Sequence, residues 1–224
     1  MLGYEHTLET LDWYRHEYPR IVVCADSPRS ARKDMDPKYK SNRKPKPKPG
    51  IEALEGVLAR IKAWGMPLVM VDGWEADDVI ATLTTQAWPE LVQIIGTEKD
   101  LYCLIDDSRV GLVGKRGPID SAGCYDKFGV SPSQMLDWLA LVGDASDGVE
   151  GCEDVGQVKA TALLEHFDNL AGILAAEDNE ILAVDGVGKK TLNGLRAWDH
   201  EKTLSLLRMN TDLPIDLYEI LGDT

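Results

Sequence analysis

The 224-residue sequence has no apolar run near the roughly 20 residues that a membrane-spanning helix needs. We therefore expect no membrane segment. The first 20 residues mix charged side chains among the apolar ones, which is not the pattern of a signal peptide. The sequence therefore gives no reason to expect secretion.

Motifs built on cysteine or histidine are also missing. The four cysteines are scattered and contain no Cys-x-x-Cys pair. The four histidines form neither a His-x-x-x-His helix nor an arrangement typical of a Ser/His/Asp triad. We expect no zinc site and no disulfide framework, and this cysteine usage fits a reducing cytoplasm.

Positive charge is scarce overall but concentrated in one place. The formal net charge is −14, which argues mildly against a nucleic-acid partner. Residues 29–48, however, hold nine basic and two acidic residues, a local charge of +7, so the rest of the chain carries −21. Such a segment on an acidic body is typical of an element that follows a phosphate backbone beside a cation site. The alternative is a solvated linker, because its Lys-Pro repeat favours an extended path.

The first 130 residues alternate between two kinds of apolar pattern. Short β-branched runs predict buried strands at 20–25, 67–71, 91–96 and 109–114. Helical spacing predicts helices at 5–17, 51–64, 75–87 and 99–105. This alternation predicts an α/β domain over 1–130, with a mostly parallel central sheet flanked by helices.

Beyond residue 130 the apolar spacing is helical only. A capping box formed by Ser131 and Gln134, with Pro132 at the first helical position, predicts a helix start. The predicted helices cover 133–142, 157–167, 169–176, 188–197 and 199–209. We therefore predict a second, all-helical domain over 131–224.

Carboxylates collect after the predicted strands, where ligands bind in parallel α/β sheets. So many carboxylates at one rim would repel each other unless a cation neutralised them. Oxygen ligands without His or Cys indicate Mg²⁺ or Mn²⁺, and two such ions can activate a water and stabilise a leaving oxygen. The predicted ligands are Asp26, Glu75, Asp77, Asp78, Glu98, Asp100, Asp144 and Asp147.

Each acidic group also has a simpler interpretation. Acids in the first turn of a helix stabilise it by about 0.3–1 kcal/mol through the helix dipole, which alone could explain Glu75, Asp77 and Asp78. Asp26 stands before Ser-Pro, a common turn context. The combination of several such groups at successive strand ends favours the metal site.

Two glycine turns, at 152–159 and 185–190, each open a predicted helix. The second matches a helix-hairpin-helix, in which backbone N–H groups approach a DNA phosphate and Lys189 and Lys190 add charge. The alternative is a glycine that caps the end of a helix. The carbonyl groups of such a turn can also hold a monovalent cation such as K⁺.

The order of these motifs resembles the 5′-3′ exonuclease and flap endonuclease family, which includes the N-terminal nuclease domain of bacterial DNA polymerase I and phage 5′ nucleases. The matching stretches span residues 20–167, with weaker similarity to about residue 196. They read VVCADSPRSARKDMDPKYKSNR, GWEADDVIATL, IIGTEKDLYCLI and LALVGDASDGVEGCEDVGQVKATALL.

The resemblance implies a PIN-like nuclease core with a helical DNA-binding region. The metal ligands that it implies are Asp26, Glu75, Asp77, Asp78, Asp100, Asp144 and Asp147. It implies that segment 29–48 is an arch over the active site, and that Asp26, Arg32 and Lys33 are catalytic. The expected DNA contacts are Arg29, Tyr39, Lys40, Arg43, Gly156, Lys159, Gly186, Gly188, Lys189 and Lys190. The expected partner is DNA with a 5′ flap, a nick or a single-stranded 5′ end, bound by a monomer in a bacterial or phage-infected cytoplasm.

Three departures from the family pattern stand out. The family begins with a strand bearing Asp-Gly-x-x-Leu, whereas this sequence starts at the following helix. Glu98 stands where the family usually has Asp, and its extra methylene displaces the carboxylate. Glu153 and Asp154 put negative charge where the first hairpin should bind phosphate.

Three functional hypotheses follow. The first is an active, divalent-metal-dependent, structure-specific 5′-3′ exonuclease or flap endonuclease. The second, motivated by the departures, is a catalytically reduced accessory protein that binds branched or single-stranded DNA. The third is a metal-dependent phosphatase or another hydrolase that does not act on nucleic acid, against which only the basic segment and the glycine turns argue.

Overall fold

The computed structural model describes residues 2–44 and 47–222, and the side chains from residue 5 onward within those ranges. Two residues of the predicted basic segment, 45 and 46, lie outside the described residues. The chain divides into two compact units: unit 1 contains 1–31, 43–86 and 210–224, and unit 2 contains 32–42 and 87–209.

The elements of the first half alternate between helices and short strands. They are α1 (Leu2–Glu17), β1 (Val23–Cys24), α2 (Ala31–Met35), α3 (Lys48–Ala63), β2 (Leu68–Val69), α4 (Ala76–Gln86), β3 (Val92–Ile95), a 3₁₀ helix (Lys99–Leu104), β4 (Val110–Gly114), β5 (Gly117–Ile119) and α5 (Ser121–Phe128).

The second half is mainly helical. It contains a 3₁₀ turn (Pro132–Gln134), α6 (Met135–Val142), the short pair β6 (Gly143–Asp144) and β7 (Val149–Glu150), α7 (Gln157–Phe167), α8 (Leu170–Ala175), α9 (Asp178–Ala183), α10 (Lys189–Ala197), α11 (His200–Leu207) and α12 (Leu217–Leu221).

In unit 1, β1 and β2 pair in parallel, with Val23 opposite Leu68. Helix α4 packs against β1 and buries one face, which includes Val79 and Ala81. The C-terminal segment is tied to α4 by the Gln86 side chain, whose amide donates to Ile215 O over 2.7 Å and accepts from Leu217 N over 2.9 Å.

In unit 2, β3 pairs with β4 in parallel, and β4 pairs with β5 in antiparallel fashion. The core of this unit joins the 3₁₀ helix to α6 and α7, with Tyr102, Met135, Leu139 and Leu163 fully buried. Helix α6 is apolar on nearly every side, so its neighbours enclose it. This packing fixes the position of the C-terminal end of α6.

The predicted fold class is confirmed: an α/β region is followed by a helical one. All four predicted strands exist, but they form ladders in two sheets, β1 with β2 and β3 with β4, and not in a single ladder. The region after residue 130 is not all-helical as predicted, because it contains the short strand pair of β6 and β7. The antiparallel β5 and the helices α2, α5, α9 and α12 were not predicted. The division into domains at residue 130 stays a prediction.

Among the described residues, no helix combines the length and the apolar character that crossing a membrane requires.

Candidate metal centre and nucleic-acid interface

Three predicted ligands meet in unit 2. Asp100 lies in the 3₁₀ helix that follows β3, and Asp144 and Asp147 lie at the turn between β6 and β7. One carboxylate oxygen of each lies within 4.8 Å of the others. We call these three residues the acidic cluster. Asp144 is 2% exposed and Asp147 is 6% exposed, so water screens their mutual repulsion poorly.

A tight turn at the end of α6 builds one side of the acidic cluster. Gly143 leaves the helix with φ of 79° and crosses so close to Gly151 that a Cβ on either residue would collide with the backbone of the other. The Ser146 amide and hydroxyl then donate to Asp144 Oδ1 over 2.9 and 2.7 Å. These bonds hold the Asp144 carboxylate in one orientation.

The two sides of the acidic cluster differ electrostatically. Burial, together with the charge of Asp144, raises the pKa of Asp100 to about 6. Burial also acts on Asp144, but hydrogen bonds from Ser146 and Lys99 outweigh it and lower the pKa of that carboxyl. Within the described residues, Asp100 Oδ1 is buried and accepts no hydrogen bond.

An unpartnered buried carboxylate oxygen beside two other carboxylates is the arrangement that a hard cation stabilises. Nitrogen and sulfur ligands are not part of the acidic cluster. The residues therefore fit Mg²⁺ or Mn²⁺, as the sequence predicted.

Two lysines of unit 2 reach the acidic cluster. Lys99 Nζ lies 3.0 Å from Asp144 Oδ1, and Lys40 Nζ lies 3.5 Å from Asp147 Oδ2. The sequence analysis missed Lys99 entirely. The sequence places Lys99 next to Asp100, but this position does not indicate the direction in which the Lys99 side chain points.

The start of the basic segment is docked beside the same turn. The Tyr39 hydroxyl donates to Asp147 Oδ2 over 3.2 Å, the Lys40 amide donates to Asp147 O over 2.6 Å, and Asn42 Nδ2 donates to Ala145 O over 2.6 Å. Tyr39 is 3% exposed, so its ring belongs to the protein interior. The contact of Tyr39 with DNA stays a prediction.

Arg32 anchors the base of the basic segment. Its guanidinium is buried and donates from Nε to Leu206 O and from Nη2 to Arg208 O, each over 2.9 Å. This position explains Arg32 as a structural residue at the end of α11. Its predicted catalytic role stays untested, and so does that of the exposed neighbour Lys33.

Of the remaining arch residues, Arg29 and Arg43 are exposed. Arg29 Nη1 lies 3.4 Å from Asp72 Oδ2 in unit 1. Residues 31–42 form a helix and turns with specific bonds, so this part of the segment is not a solvated linker.

The carboxylates of unit 1 form their own arrangement around the start of α4. Asp26 Oδ1 accepts from the Ala76 amide over 2.9 Å, which ties the residues after β1 to this helix. Burial, together with the charge of Asp77, raises the pKa of Cys24 at the end of β1 to about 12. Glu75 is partly exposed at the same helix start. Their prediction as ligands stays a prediction.

Two predicted ligands have other partners. Asp78 is fully buried, and its oxygens accept from the amides of Glu75 and Asn210 over 3.1 and 2.8 Å, which is a capping arrangement. Glu98 is exposed, and its Oε2 accepts from the Thr97 amide over 2.9 Å. Glu98 is not a member of the acidic cluster.

Both glycine turns begin helices as predicted. Gly156 caps α7 and Gly188 caps α10, with Gly186 in the left-handed region at φ of 75°. Lys189 and Lys190 are exposed in the first turn of α10. Lys159, however, points back at the Asp154 carboxylate, 2.6 Å away, and Lys190 Nζ lies 3.6 Å from the same carboxylate.

Comparison with known families agrees with this architecture. The family model of the 5′-3′ exonuclease N-terminal, resolvase-like domain matches residues 4–129, and that of the 5′-3′ exonuclease C-terminal SAM fold matches residues 130–222. The chain belongs to the 5′-3′ exonuclease family. The resemblance inferred from the sequence is thereby confirmed.

Relatives in this 5′-3′ exonuclease family share about a third of their residues with the chain. DNA polymerase I of Deinococcus radiodurans is 32% identical over 206 residues, which are 91% of this chain and 21% of the polymerase. A 5′-3′ exonuclease of Streptomyces coelicolor is 34% identical over 187 residues, covering 73% of this chain and 61% of the relative. The chain thus spans about a fifth of the length of the polymerase relative.

Solved structures of 5′ nucleases share the fold. A bacteriophage T5 5′-exonuclease with bound zinc superposes with a TM-score of 0.71 at 22% identity, covering 92% of this chain and 79% of that one. A bacteriophage T5 flap endonuclease in complex with DNA and metal ions gives a TM-score of 0.73 at 22% identity, covering 90% and 77%.

Proposed function

We propose that this chain is a divalent-metal-dependent, structure-specific 5′-3′ exonuclease or flap endonuclease that hydrolyses DNA phosphodiesters. The observation that carries the proposal is the acidic cluster, in which three carboxylates converge and Asp100 Oδ1 accepts no hydrogen bond from the part of the chain that the structure describes. Membership of the 5′-3′ exonuclease family supports the reaction, and the metal- and DNA-bound relatives support the ligands.

Asp100, Asp144 and Asp147 would hold Mg²⁺ or Mn²⁺. Such an ion, when bound, supplies a water of lowered pKa and stabilises negative charge on a leaving oxygen. Ser146 and Tyr39 orient two of the carboxylates through hydrogen bonds, so the ligands are arranged before the ion arrives. Asp26, Glu75, Asp77 and Asp78 remain predicted ligands of a second ion.

The two lysines beside the acidic cluster supply positive charge of their own. Lys99 and Lys40 each pair with one aspartate, and Lys40 also lies 4.9 Å from the centre of the Tyr39 ring. Phosphate oxygens of a DNA strand close to the acidic cluster would meet these ammonium groups, which offset the repulsion between phosphate and carboxylate.

The proposed substrate is DNA with a 5′ flap, a nick or a single-stranded 5′ end. The glycine-capped N-termini of α7 and α10 present backbone N–H groups, which suit duplex phosphates, and Lys189 adds charge to the second of them. A cytoplasmic location and a monomeric state remain predictions of the sequence.

The test is cleavage of a 5′-labelled flap and of a nicked duplex in Mg²⁺ or Mn²⁺, with the labelled products resolved by length. We expect 5′-directed cleavage that the double variant Asp144→Ala, Asp147→Ala abolishes. Exposed Asp216 of unit 1 caps α12, so Asp216→Ala is the control for loss of a carboxylate elsewhere. Full cleavage by the double variant would overturn the site assignment. If the wild type bound DNA tightly but showed no single-turnover cleavage in Mn²⁺, it would be an accessory DNA-binding protein instead.

A further inference from the structure

The Lys159 ammonium lies among three oxygens of unit 2. Its Nζ is 3.0 Å from the Asp154 carbonyl oxygen, 2.6 Å from Asp154 Oδ2 and 3.0 Å from Thr191 Oγ1. The Thr191 hydroxyl in turn donates to Asp154 Oδ2 over 2.6 Å. We call these three oxygens the oxygen cage. The ammonium can satisfy all three of its N–H donors there.

The oxygen cage joins the beginnings of two helices. Lys159 is the third residue of α7, and Thr191 is the third residue of α10 and is fully buried. Asp154 stands just before the α7 cap with φ of 62°, a left-handed conformation that is unusual for a residue other than glycine. A cation near two helix N-termini is unfavourable by itself, so the Asp154 carboxylate is what makes this position stable.

A second contact shows how closely the same segments approach. A Cβ at Gly194 of α10 would collide with the Glu153 carbonyl oxygen, so the turn at 153–154 lies directly on that helix. Lys190, also from α10, places Nζ 3.6 Å from Asp154 Oδ1 and 3.7 Å from Glu153 Oε1. Hydrogen bonds from Lys159 and Thr191 lower the pKa of Asp154 to about 2.

We propose that Lys159 is a positioning residue whose ammonium acts as an internal cation, locking the Asp154 turn to the first turn of α10 in place of a monovalent metal ion. Lys159 is then not a phosphate ligand, contrary to the role that the resemblance implies. The role of Lys159 in holding the turn does not depend on the proposed function. The inference that Lys159 does not contact DNA phosphate rests on that function. At this pair of helices, Lys189 contacts the duplex phosphate instead of Lys159.

The first experiment measures thermal unfolding at one ionic strength in KCl, NH₄Cl or tetramethylammonium chloride. The wild type should unfold at the same temperature in all three salts. Lys159→Ala should lower Tm by about 2–4 °C in tetramethylammonium chloride, the shift that loss of one such interaction causes in a chain of this size. K⁺ or NH₄⁺ should restore part of that loss, because either ion is small enough to enter the vacated oxygen cage.

The matched control is Lys189→Ala, which removes an exposed lysine from the same helix turn and should leave Tm unchanged in every salt. An unchanged Tm for Lys159→Ala would overturn the proposal. A lowered Tm that neither K⁺ nor NH₄⁺ raises would overturn it as well, since the oxygen cage would then not be a cation site.

The second experiment measures binding of flap DNA at several KCl concentrations with EDTA present, so that no cleavage occurs. Loss of one phosphate contact reduces the slope of log K against log salt by about 0.9. We expect that reduction for Lys189→Met and an unchanged slope for Lys159→Met. A reduced slope for Lys159→Met would show that Lys159 is a phosphate ligand and would overturn the proposal.

Failure of the proposed function gives a different pattern. If the wild type neither bound nor cleaved DNA, the nuclease proposal would fail. The salt-specific Tm of Lys159→Ala would still decide the role of Lys159, because that measurement involves no DNA.

Discussion

The Lys99 ammonium lies 3.0 Å from Asp144 Oδ1 of the acidic cluster, in which Asp100 Oδ1 is also buried. Lys99 directly precedes Asp100, so one short 3₁₀ helix supplies a carboxylate and a compensating charge to the same cluster. The Lys99 charge offsets part of the repulsion among the buried Asp144 and Asp147 and the half-buried Asp100, so Lys99 is the first residue to test.

Replacing Lys99 by Met should tighten binding of Mn²⁺ and weaken cleavage. Removal of a positive charge next to Asp144 should lower the Kd for Mn²⁺ about tenfold, which corresponds to about 1.4 kcal/mol. The single-turnover cleavage rate should fall at saturating Mn²⁺, because a cation near the DNA phosphate is lost. Calorimetric titration and quench-flow measure the two effects, with the exposed Lys115→Met as control. An unchanged Mn²⁺ affinity would show that the ion does not bind next to Asp144.

Replacing Asp100 by Asn should stabilise the protein in EDTA. The pKa of Asp100 is raised to about 6 from an ordinary value of 3.8, so the folded state binds more protons than the unfolded state between these pH values. The contribution of Asp100 to the free energy of unfolding therefore falls as pH rises from about 4 to 6, and it is constant above pH 6. Above pH 6 the variant should be more stable by roughly 1–3 kcal/mol, and it should lose Mn²⁺ binding.

The measurement for Asp100→Asn is chemical denaturation from pH 4 to 7.5, read as the difference between variant and wild type. This difference cancels the titration of carboxylates that lie outside the acidic cluster. A difference that is constant across the range would contradict the raised pKa, and Asp216→Asn is the control for an exposed carboxylate.

Replacing Arg32 by Met should destabilise the fold by about 2–4 kcal/mol. The change removes the donors to the carbonyl oxygens of Leu206 and Arg208 and leaves these acceptors in a partly buried position. Urea denaturation measures the loss, and Lys33→Met, one residue along and exposed, should stay within about 0.5 kcal/mol of the wild type. Wild-type stability of Arg32→Met together with abolished cleavage would instead support the catalytic role predicted from the resemblance.

Replacing Tyr39 by Phe separates two roles of this residue. The ring stays, but the hydrogen bond from the hydroxyl to Asp147 Oδ2 is lost. If Tyr39 orients a metal ligand, affinity for Mn²⁺ should fall about tenfold while DNA binding in EDTA is unchanged. Weaker DNA binding with unchanged Mn²⁺ affinity would favour the direct DNA contact predicted from the sequence.

Elements with strong local signals were predicted well. Helix α7 occupies Gln157–Phe167, the predicted range, because its apolar spacing and its glycine cap are both local features. The short helices α5 and α9 and the strand β5 were missed. Segments of three to eight residues are stabilised mainly by the rest of the fold, so their own sequence pattern is weak.

The sequence predicted some residues of the site correctly and could not predict the partners of others. Asp100, Asp144 and Asp147 were predicted as ligands and do lie together, because strand ends and helix ends can be read from apolar periodicity. Glu98, two residues from Asp100, was also predicted as a ligand, although it departs from the family pattern, and its carboxylate accepts from the neighbouring Thr97 amide. Sequence proximity could not separate them, since the choice depends on which way each side chain leaves the backbone.

The amino-acid sequence by itself determined the class of fold, the family, the hard-ligand character of the acidic residues and the place of the basic segment, since these follow from composition, periodicity and motif order. The tertiary structure alone decided which carboxylates share one cluster, that Arg32 and Tyr39 face inward, and that Lys99 and Lys159 pair with aspartates. Charge pairing acts over a few ångströms between residues that can be far apart in the chain, so only the folded backbone brings such partners within reach.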